Sequence, residues 1–328
     1  MAKGGKKMAF QVCKAHSLAE LWQIFKDHPD AYPVAGGTDI IPRINQGIES
    51  HPLFVCLDEI PELSGIVVLP DGSLQIGALT KLVEIIENQE LSGYTGLQQA
   101  CSRVASPQIR NMATIGGNVL QENRCVYFNQ SVSWRRVDHC FKLGGGCCYQ
   151  YKKSPQCVAL FQSDVAPVLM SYHAAACWQS PRGTRQTPLS ELYLDAGKKA
   201  KEADEILVAL VIPPTEDVLR SAYARETIRG SFDFPLISCA ISLAEQDGRI
   251  TQATVVMGSA GVKPQYVDDI KPLLQGKTPR EAAALIDEVQ ILAAKKIAPF
   301  HDSRVDAVTR KALGKSAVKR AFLQVCAE

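Results

Sequence analysis

The sequence predicts an α+β fold in two unequal parts: a mixed helix-and-strand part over most of the chain, and a small ββββαα-like domain at its end. Helices that begin with capping boxes alternate with short apolar strands, which indicates the mixed class. The Pro213-Pro214 pair marks a boundary between the two parts. The segment 122–157 holds five of the eleven cysteines and interrupts the first part as an insert.

The elements of the first part follow from local patterns. Ser17 and Glu20 form a capping box ahead of an apolar stripe, which predicts a helix that ends near His28-Pro29. Strands are predicted at "LFVCLDEI", "LSGIVVL" and "SLQIGALT", and helices at "TKLVEIIENQEL" and "GLQQACSRVA". After the cysteines, "SDVAPVLMSYHAAACW" begins a second series of strand-like pieces that ends in "ADEILVALVIPP".

The last part is predicted as a β-meander followed by two helices. A turn at Asp247-Gly248 separates two of the strands. A capping box at Thr278–Glu281 opens a helix through about Ala294, and a last helix is predicted from about Asp302 to Val325. We expect this last part to span residues 217–328.

Composition excludes several classes of function. The 328 residues carry a formal net charge of +2, which does not indicate attraction to nucleic acid or anionic lipid. No apolar run approaches the roughly 20 residues that span a bilayer. The N-terminal lysines are not followed by the apolar segment of a secretory signal. We therefore predict a cytoplasmic protein, in which clustered cysteines bind metal or do redox work more often than they form disulfides.

Two similar units join an apolar strand to a pair of glycines: Ala35-Gly36-Gly37-Thr38-Asp39 and Thr114-Ile115-Gly116-Gly117-Asn118. Consecutive glycines allow successive backbone N–H groups to converge on an anion such as a pyrophosphate. The alternative is a tight turn that needs a positive φ angle. The standard GxGxxG and GxxxxGK[ST] motifs do not occur, so neither a Rossmann nor a P-loop nucleotide site is predicted.

The cysteine segment has the spacing Cys125-x14-Cys140-x6-Cys147-Cys148-x8-Cys157. Four ligands suffice for a [4Fe–4S] cluster or a structural zinc ion. Structural zinc usually uses close CxxC pairs, which this segment lacks, so the wide spacing favours a cluster. Buried free thiols are the third interpretation. Adjacent residues rarely both reach one cluster, so either Cys147 or Cys148 is surplus.

Four segments in this order, "PVAGGTDIIPRI", "VASPQIRNMATIGGNVLQ", "SDVAPVL" and "EILVALVIPP", resemble the FAD-binding subunits of the molybdenum hydroxylases, the family of xanthine dehydrogenase, carbon monoxide dehydrogenase and aldehyde oxidoreductases. The resemblance covers essentially the whole chain. It implies a two-part FAD-binding domain of the PCMH or xanthine dehydrogenase flavoprotein type, divided into residues 1–60 and residues 61–216, with an inserted iron–sulfur loop over 122–160, followed by the small C-terminal flavoprotein domain. Most such subunits lack the cysteine segment. That segment is similar to the [4Fe–4S] insert of 4-hydroxybenzoyl-CoA reductase β subunits, and a related insert occurs in a periplasmic aldehyde dehydrogenase of the family.

The resemblance also implies the binding residues. It implies a first pyrophosphate-contacting turn at Pro33, Val34, Ala35, Gly36, Gly37, Thr38, Asp39 and Ile40. It implies a second at Thr114, Ile115, Gly117 and Asn118, with Val104 and Gln108 nearby. It implies Asp164 at the ribose or adenine side of FAD, Leu207 at the adenine end and Arg225 near the flavin. The alternatives are a helix N-cap for Asp164 and a surface salt bridge for Arg225. The implied cluster ligands are Cys125, Cys140, Cys148 and Cys157.

The function that the resemblance implies is electron transfer. In the family, a large subunit holds the molybdenum cofactor and the substrate, a small subunit carries two [2Fe–2S] clusters, and the complexes are usually dimers of heterotrimers. This chain is then the subunit that carries FAD and a [4Fe–4S] cluster, with a ferredoxin-like one-electron carrier as its external partner. Likeness to 4-hydroxybenzoyl-CoA reductase implies that electrons enter for the reductive dehydroxylation of an aromatic thioester. An aldehyde, N-heterocycle or purine hydroxylase sends them outward.

Two interpretations from other classes stay open. A zinc-stabilised, non-redox interaction protein explains the cysteines but leaves both glycine units without a purpose. A stand-alone flavin oxidase explains the glycines but not the cysteines. The sequence shows no Ser/His/Asp set, HExxH motif or paired carboxylates, so no catalytic residue is predicted.

Overall fold

Three main sheets follow one another along the described part of the chain, and a fourth sheet of two short strands lies within the second part. The structure, a computed structural model, describes residues 10–135, 137–230, 232–299 and 304–327. Within these residues the first sheet has three parallel strands, the second has five strands and the third has four. Helices pack on each sheet, so the predicted mixed fold of helices and sheets is confirmed.

The first part is a small parallel sheet covered by one helix. Its elements are β1 (Gln11–Lys14), α1 (Leu18–Asp27), β2 (Tyr32–Val34), α2 (Ile40–Asn45) and β3 (Leu53–Cys56). The strands pair in the order β1-β3-β2. The predicted cap of α1 is present, because the Ser17 hydroxyl accepts a hydrogen bond from the Glu20 amide at 3.2 Å. Leu21 of α1 and Val55 of β3 are fully buried in one apolar cluster, which holds the helix on the sheet.

The second part surrounds an antiparallel sheet with the strand order β4-β5-β10-β6-β7. Its elements are β4 (Ile66–Val68), β5 (Leu74–Gly77), α3 (Leu82–Glu87), α4 (Thr95–Arg103), α5 (Pro107–Arg110), α6 (Ile115–Leu120), α7 (Val165–Ser171), β6 (Ala175–Ser180), β7 (Gly183–Pro188), α8 (Leu189–Leu192), β8 (Tyr193–Asp195), β9 (Lys198–Lys199) and β10 (Ile206–Ile212). Trp178 and Phe161 are buried in its core. The cysteine segment lies between α6 and α7, and its described residues form short 3₁₀ turns at 132–134 and 141–143 and an isolated β-bridge between Arg124 and Leu160.

Two segments that were predicted as strands are helices. The apolar run around the second glycine pair forms α6, and the Thr114 hydroxyl caps it by accepting a hydrogen bond from the Gly117 amide at 3.1 Å. The "SDVAPVLM" segment contains α7, whose seven residues are all buried. A helix that is buried on every side has no polar face. Its sequence therefore lacks the 3.6-residue period that distinguishes a helix from a buried strand.

The last part is an antiparallel meander with helices on one face. Its elements are β11 (Val218–Glu226), β12 (Ile237–Gln246), β13 (Arg249–Gly258), β14 (Gln265–Tyr266), α9 (Ile270–Leu274), α10 (Pro279–Ala283), α11 (Ile286–Ala294) and α12 (Ala307–Cys326). Asp247 and Gly248 have φ angles of 50° and 74°, as a two-residue hairpin turn requires. The capping box at Thr278 is present, but the helix predicted to continue to Ala294 breaks between α10 and α11. The predicted helix start at Asp302 lies outside the described residues.

Buried hydrogen bonds fix the last part to the second. Thr95, at the start of α4, donates to the Ser221 carbonyl at 2.6 Å, and the Tyr223 amide donates to the Gln99 side chain at 2.9 Å. The Tyr172 and Ser221 hydroxyls are hydrogen-bonded at 2.6 Å. Helix α4 therefore lies against strand β11 in a defined register, and the two form the walls of a cleft described below.

Helix α12 is the longest helix of the described part of the chain, with 20 residues. It carries several lysines and arginines, and the buried Arg310 donates to the Leu236 carbonyl at 2.7 Å. Across the described ranges, no helix has both the length and the apolar character that crossing a membrane requires.

Candidate functional site

A cleft of about 820 Å³ opens between the first and second parts of the chain. We call it the main cleft. The segment from Pro33 to Ile40 lines one side, and Thr114, Gly116 and Gly117 line the other. Leu207 of β10 lines the same cleft. The structure therefore brings together the whole first glycine turn, part of the second unit and Leu207, which are far apart in the sequence.

The first glycine turn offers a nest of free backbone amides. Gly37 has a φ angle of 70°, in the left-handed region that favours glycine. A Cβ atom on Gly36 would lie 1.8 Å from the carbonyl oxygen of Met112, so only glycine fits there. Among the described residues, the amides of Gly36, Gly37 and Thr38 donate no hydrogen bond. Three consecutive N–H groups are thus available to an anionic ligand.

The second glycine unit is built differently, because its amides are already paired. The bonds run from the Ile115 amide to the Thr80 carbonyl at 2.9 Å, from the Gly116 amide to the Ala78 carbonyl at 2.9 Å, and from the Gly117 amide to the Thr114 hydroxyl at 3.1 Å. These bonds fix the start of α6 against the end of β5. The second unit therefore contributes surface to the main cleft but no free nest.

Ile115 and Asn118 point away from the main cleft. Ile115 is fully buried in the core of the second part. The Asn118 side-chain oxygen accepts hydrogen bonds from the Ser163 hydroxyl at 2.6 Å and from the Val165 amide at 3.4 Å. Asn118 therefore joins α6 to the start of α7.

Asp164 and Arg225 meet beside a second cleft of about 650 Å³, lined by residues of α4, α5 and β11. The Asp164 carboxylate accepts hydrogen bonds from the Tyr223 hydroxyl at 2.6 Å and from Arg225 at 3.0 Å. Burial raises the pKa of Asp164 above its ordinary value, and Arg225 and Tyr223 oppose the rise only in part. Each alternative considered for these residues holds in part. Asp164 occupies the N-cap position of α7, but its side chain makes no capping hydrogen bond. Arg225 forms the predicted kind of salt bridge, but the pair is buried rather than on the surface.

Val104 and Gln108 flank this second cleft. Val104 is 8% exposed, and its carbonyl accepts a hydrogen bond from Arg110 at 2.8 Å. Gln108 is exposed on α5. Their sequence neighbours Arg103 and Ala105 line the second cleft. Apart from Ile115 and Asn118, the residues predicted to bind FAD therefore separate into two groups, one at each cleft.

The polar residues of the main cleft that the sequence predictions missed include Arg43, Gln121, Glu122 and Lys199. Arg43 forms ion pairs with Asp39 at 3.3 Å and Glu49 at 2.6 Å. Gln121 ends the "GGNVLQ" segment and Glu122 follows it, so their position was a usable signal. Lys199 lies on the two-residue strand β9 in a polar stretch that carries no recognisable pattern.

Two ion pairs connect the main cleft with the cysteine segment. Arg124, next to Cys125, pairs with Asp39 of the first glycine turn. Lys142, two residues after Cys140, pairs with Glu122 at 2.7 Å. All four side chains are at least three-quarters buried, so salt screens these pairs less than it screens surface pairs. Buried ion pairs therefore join the cysteine segment to residues that line the main cleft.

The four cysteines predicted as ligands interact with one another electrostatically in pairs. Burial, with smaller contributions from the thiols of Cys157 and Cys148, raises the pKa of Cys125 to about 11. Burial also raises the pKa of Cys157, with additions from Cys148 and Cys140. Cys147, in contrast, is exposed and interacts with Tyr149. Cys148 is therefore the member of the adjacent pair that lies within electrostatic range of Cys125 and Cys157.

Backbone N–H groups approach three of these sulfurs. Tyr151 donates to Cys148 Sγ at 3.4 Å, Ala159 donates to Cys157 Sγ at 3.5 Å, and the amides of Tyr127 and Phe128 lower the pKa of Cys125. Such bonds favour thiolates and tune iron–sulfur clusters. In the part of the chain that the structure describes, no group of three or more histidine, cysteine, aspartate or glutamate side chains forms a site for a metal ion. The [4Fe–4S] cluster therefore stays a prediction.

Comparison with known families decides the class of the protein. Residues 8–215 match the family described as the FAD binding domain in molybdopterin dehydrogenase. The chain belongs to this family. Residues 222–325 match the CO dehydrogenase flavoprotein C-terminal domain. The prediction of an FAD-binding subunit of the molybdenum hydroxylase family, and of an oxidoreductase subunit, is confirmed.

Individual proteins agree with this assignment. The chain is 28% identical to the xanthine dehydrogenase FAD-binding subunit of Escherichia coli O157:H7, over 76% of this chain and 74% of the relative. It is 29% identical to an aldehyde oxidoreductase FAD-binding subunit of Escherichia coli K12, over 79% and 84%. It is 20% identical to the glyceraldehyde dehydrogenase medium chain of Sulfolobus acidocaldarius, over 96% and 98%. Its fold is similar to that of a chain of CO dehydrogenase from Oligotropha carboxidovorans, with a TM-score of 0.78, 22% identity and 99% of both chains covered.

The main cleft has the chemistry that FAD requires in this flavoprotein family. The three free amides of the first glycine turn are donors for phosphate oxygens. Gln121 is 7% exposed, and its side-chain nitrogen has no hydrogen-bond partner among the described residues. Trp22, Phe25 and Leu207 provide an apolar wall against which an aromatic ring can pack. Donors and apolar surface thus lie together in one cleft, as a dinucleotide needs.

Proposed function

We propose that this chain is the electron-transferring flavoprotein subunit of a molybdenum hydroxylase complex, with FAD in the main cleft and a [4Fe–4S] cluster in the cysteine segment. The observation that carries the proposal is the connection between the two sites. Buried ion pairs join the cleft residues Asp39 and Glu122 to Arg124 and Lys142, which lie beside predicted cluster ligands. Electron transfer between two centres needs a short, fixed distance, and the buried ion pairs hold the two sites in a fixed relation.

FAD, when bound, exchanges electrons in pairs with one partner and singly with another. The residues of the chain bind and orient it. We assign the free amides of Gly36, Gly37 and Thr38 to the pyrophosphate and Leu207 to the adenine end. Asp164 and Arg225, predicted at different ends of the cofactor, form one ion pair, so we assign both to the flavin end, beside the second cleft.

We assign the cluster to Cys125, Cys140, Cys148 and Cys157, and it would supply one-electron transfer. Cysteines must lose their protons when they bind metal. The N–H groups that approach three of the four sulfurs stabilise the resulting thiolates. Cys147 is exposed and lies outside this set, so we assign it no ligand role.

The named relatives favour electron flow outward from the substrate. They are a xanthine dehydrogenase subunit, an aldehyde oxidoreductase subunit and a glyceraldehyde dehydrogenase medium chain. We therefore propose a large molybdenum-cofactor subunit and a small two-[2Fe–2S] subunit as partners, in a dimer of heterotrimers. An aldehyde, purine or N-heterocycle is oxidised on the large subunit, and a ferredoxin-like carrier accepts the electrons from this chain.

The reductive direction, most like 4-hydroxybenzoyl-CoA reductase, is the second candidate. The observation that favours it is the cysteine segment itself, which resembles the insert of that enzyme's β subunit. In that case electrons enter at the cysteine segment and leave toward molybdenum. Residence in the cytoplasm remains a prediction in both cases.

A matched pair of cysteine variants tests the cluster. Anaerobically purified protein should contain about four irons and about one FAD per chain, with a shoulder beside the flavin bands that bleaches on reduction. Cys148→Ser should lose most of the iron, whereas Cys147→Ser should keep it, because only Cys148 lies near the other thiols. Equal iron in both variants, zinc in place of iron, or flavin with no metal would reject the cluster.

The complex with its partners tests the direction. Anaerobic addition of an aldehyde, a purine or an N-heterocycle should bleach the flavin absorbance of the purified complex if electrons flow outward. A complex that these substrates leave oxidised, but that reduced ferredoxin bleaches and a hydroxylated aromatic thioester reoxidises, operates in the reductive direction. Absence of a molybdenum-containing partner in every preparation rejects both and favours a stand-alone flavoprotein.

A further inference from the structure

Lys199 enters the main cleft on the side formed by β9. It lines the same cleft as the first glycine turn, and its ammonium group donates to the Gln121 backbone carbonyl at 3.2 Å. The ammonium also lies 5.9 Å from the centre of the Phe161 ring, in cation–π range. These two contacts hold the ammonium group at the cleft.

Gln121 supplies a second, independent indication of a ligand at this place. The residue is 7% exposed and lines the cleft, yet its side-chain nitrogen has no hydrogen-bond partner within the described ranges. A buried amide nitrogen without an acceptor is costly, so such groups usually meet a ligand or an ordered water. The missing partner is a hydrogen-bond acceptor.

The charges around Lys199 do not compensate its burial. Burial lowers the pKa of its ammonium to about 8, and the cations Lys142 and Arg43 lower it too. The carboxylates of Glu122 and Asp39 act in the opposite direction, but each is already paired with another cation. The ammonium of Lys199 therefore lacks a full counter-charge in the protein alone.

We propose that Lys199 and Gln121 bind the diphosphate of FAD opposite the first glycine turn. By doing so they favour FAD over flavins that have no diphosphate. This inference rests on the proposed placement of FAD in the main cleft. The glycine turn supplies neutral N–H donors, and Lys199 adds the positive charge. A doubly negative diphosphate provides both the acceptor that Gln121 lacks and the counter-charge that Lys199 lacks.

The test compares FAD with riboflavin, which has no phosphate, on the full chain after removal of bound flavin. Lys199→Met should weaken FAD binding about 10- to 100-fold, as loss of a charge-assisted hydrogen bond does, and should leave riboflavin binding unchanged. Lys199→Arg should restore most of the FAD affinity. Lys198→Met is the matched control, because Lys198 is the exposed neighbour on β9 and does not line the cleft. Gln121→Leu should give a smaller, equally FAD-selective loss.

A pH series gives a second readout that does not depend on riboflavin. The free ammonium of Lys199 loses its proton above about pH 8. The Kd for FAD should therefore rise above that pH in the wild type but stay flat in Lys199→Arg. Equal losses for FAD and riboflavin, or wild-type affinity and pH profile in Lys199→Met, would overturn the inference. A wild-type chain that binds no FAD at all refutes the placement of FAD in the cleft instead.

Discussion

The two glycine pairs share a sequence pattern but have different structural roles. At Gly36-Gly37 the backbone turns with a positive φ angle, and three successive amides beside the cleft have no acceptor among the residues that the structure describes. At Gly116-Gly117 the chain begins a helix, and every amide from Ile115 to Asn118 is already hydrogen-bonded. The comparison teaches that a glycine pair indicates close backbone approach, whereas only the hydrogen-bond partners of its amides show whether it can hold an anion.

The two pairs are also in contact. Gly36 lies against the carbonyl of Met112, two residues before Thr114, so the first turn is placed by the segment that leads into the second. Gly116 in turn lies against Ala78. The second pair therefore acts as a support for the first. Stability and FAD affinity should respond differently to changes at the two pairs.

The largest effect is expected for Gly36→Ala. The added Cβ would lie 1.8 Å from the Met112 carbonyl oxygen, which is backbone and cannot rotate away. We expect a loss of about 3 kcal/mol in the free energy of unfolding and loss of bound FAD. Urea unfolding and flavin content measure the two effects. Gly93→Ala is the control, because its Cβ meets nothing within 4 Å. Wild-type stability in Gly36→Ala would show that the turn can relax.

A smaller effect is expected for Gly116→Ala. Its Cβ would lie 2.7 Å from the Ala78 carbonyl oxygen and 2.9 Å from the Ala78 Cβ. We expect about 2 kcal/mol of destabilisation, with FAD affinity nearly intact in the protein that folds. Unfolding curves and FAD titration at low temperature separate these quantities. Loss of affinity as large as that of Gly36→Ala would mean that the two turns hold the cofactor equally.

Removal of the cap of helix α6 should destabilise the chain less than either of these two glycine substitutions. Thr114→Ala deletes the hydroxyl that accepts a hydrogen bond from the Gly117 amide at 3.1 Å. We expect the free energy of unfolding to fall by about 1 kcal/mol, because at best a water molecule replaces the hydroxyl as the acceptor for the Gly117 amide. Thr114→Ser keeps the hydroxyl and serves as the control in the same unfolding experiment. If serine and alanine destabilise the chain equally, the threonine methyl and not the cap is what matters.

The smallest effect is expected for Gly117→Ala. The residue is helical, where alanine is favoured by about 1 kcal/mol, but its Cβ would lie 3.0 Å from the Thr114 hydroxyl. The gain from the helix preference of alanine and the cost of the close contact nearly cancel. We therefore expect the free energy of unfolding to change by no more than about 0.5 kcal/mol. A thermal unfolding midpoint close to the wild type supports this view. A loss like that of Gly116→Ala contradicts the distinction between the two glycines of one pair.

The sequence predicted what local chemistry controls. The caps at Ser17 and Thr278 and the turn at Asp247-Gly248 are present as expected. Helix α7 was missed because burial on all sides removes the polar face that marks a helix. Lys199 was missed for a different reason. A two-residue strand in a polar stretch has no period, and only long-range packing brings it to the cleft.

The ion pairs Asp39–Arg124 and Glu122–Lys142 have a consequence for assembly of the subunit in the cell. Each pair has one residue that lines the main cleft and one beside a predicted iron ligand, so ordering either side helps to order the other. Thermodynamic linkage makes this help equal in both directions. With both cofactors bound as proposed, iron starvation lowers flavin loading as well, and a colourless apoprotein accumulates instead of a yellow, iron-free one.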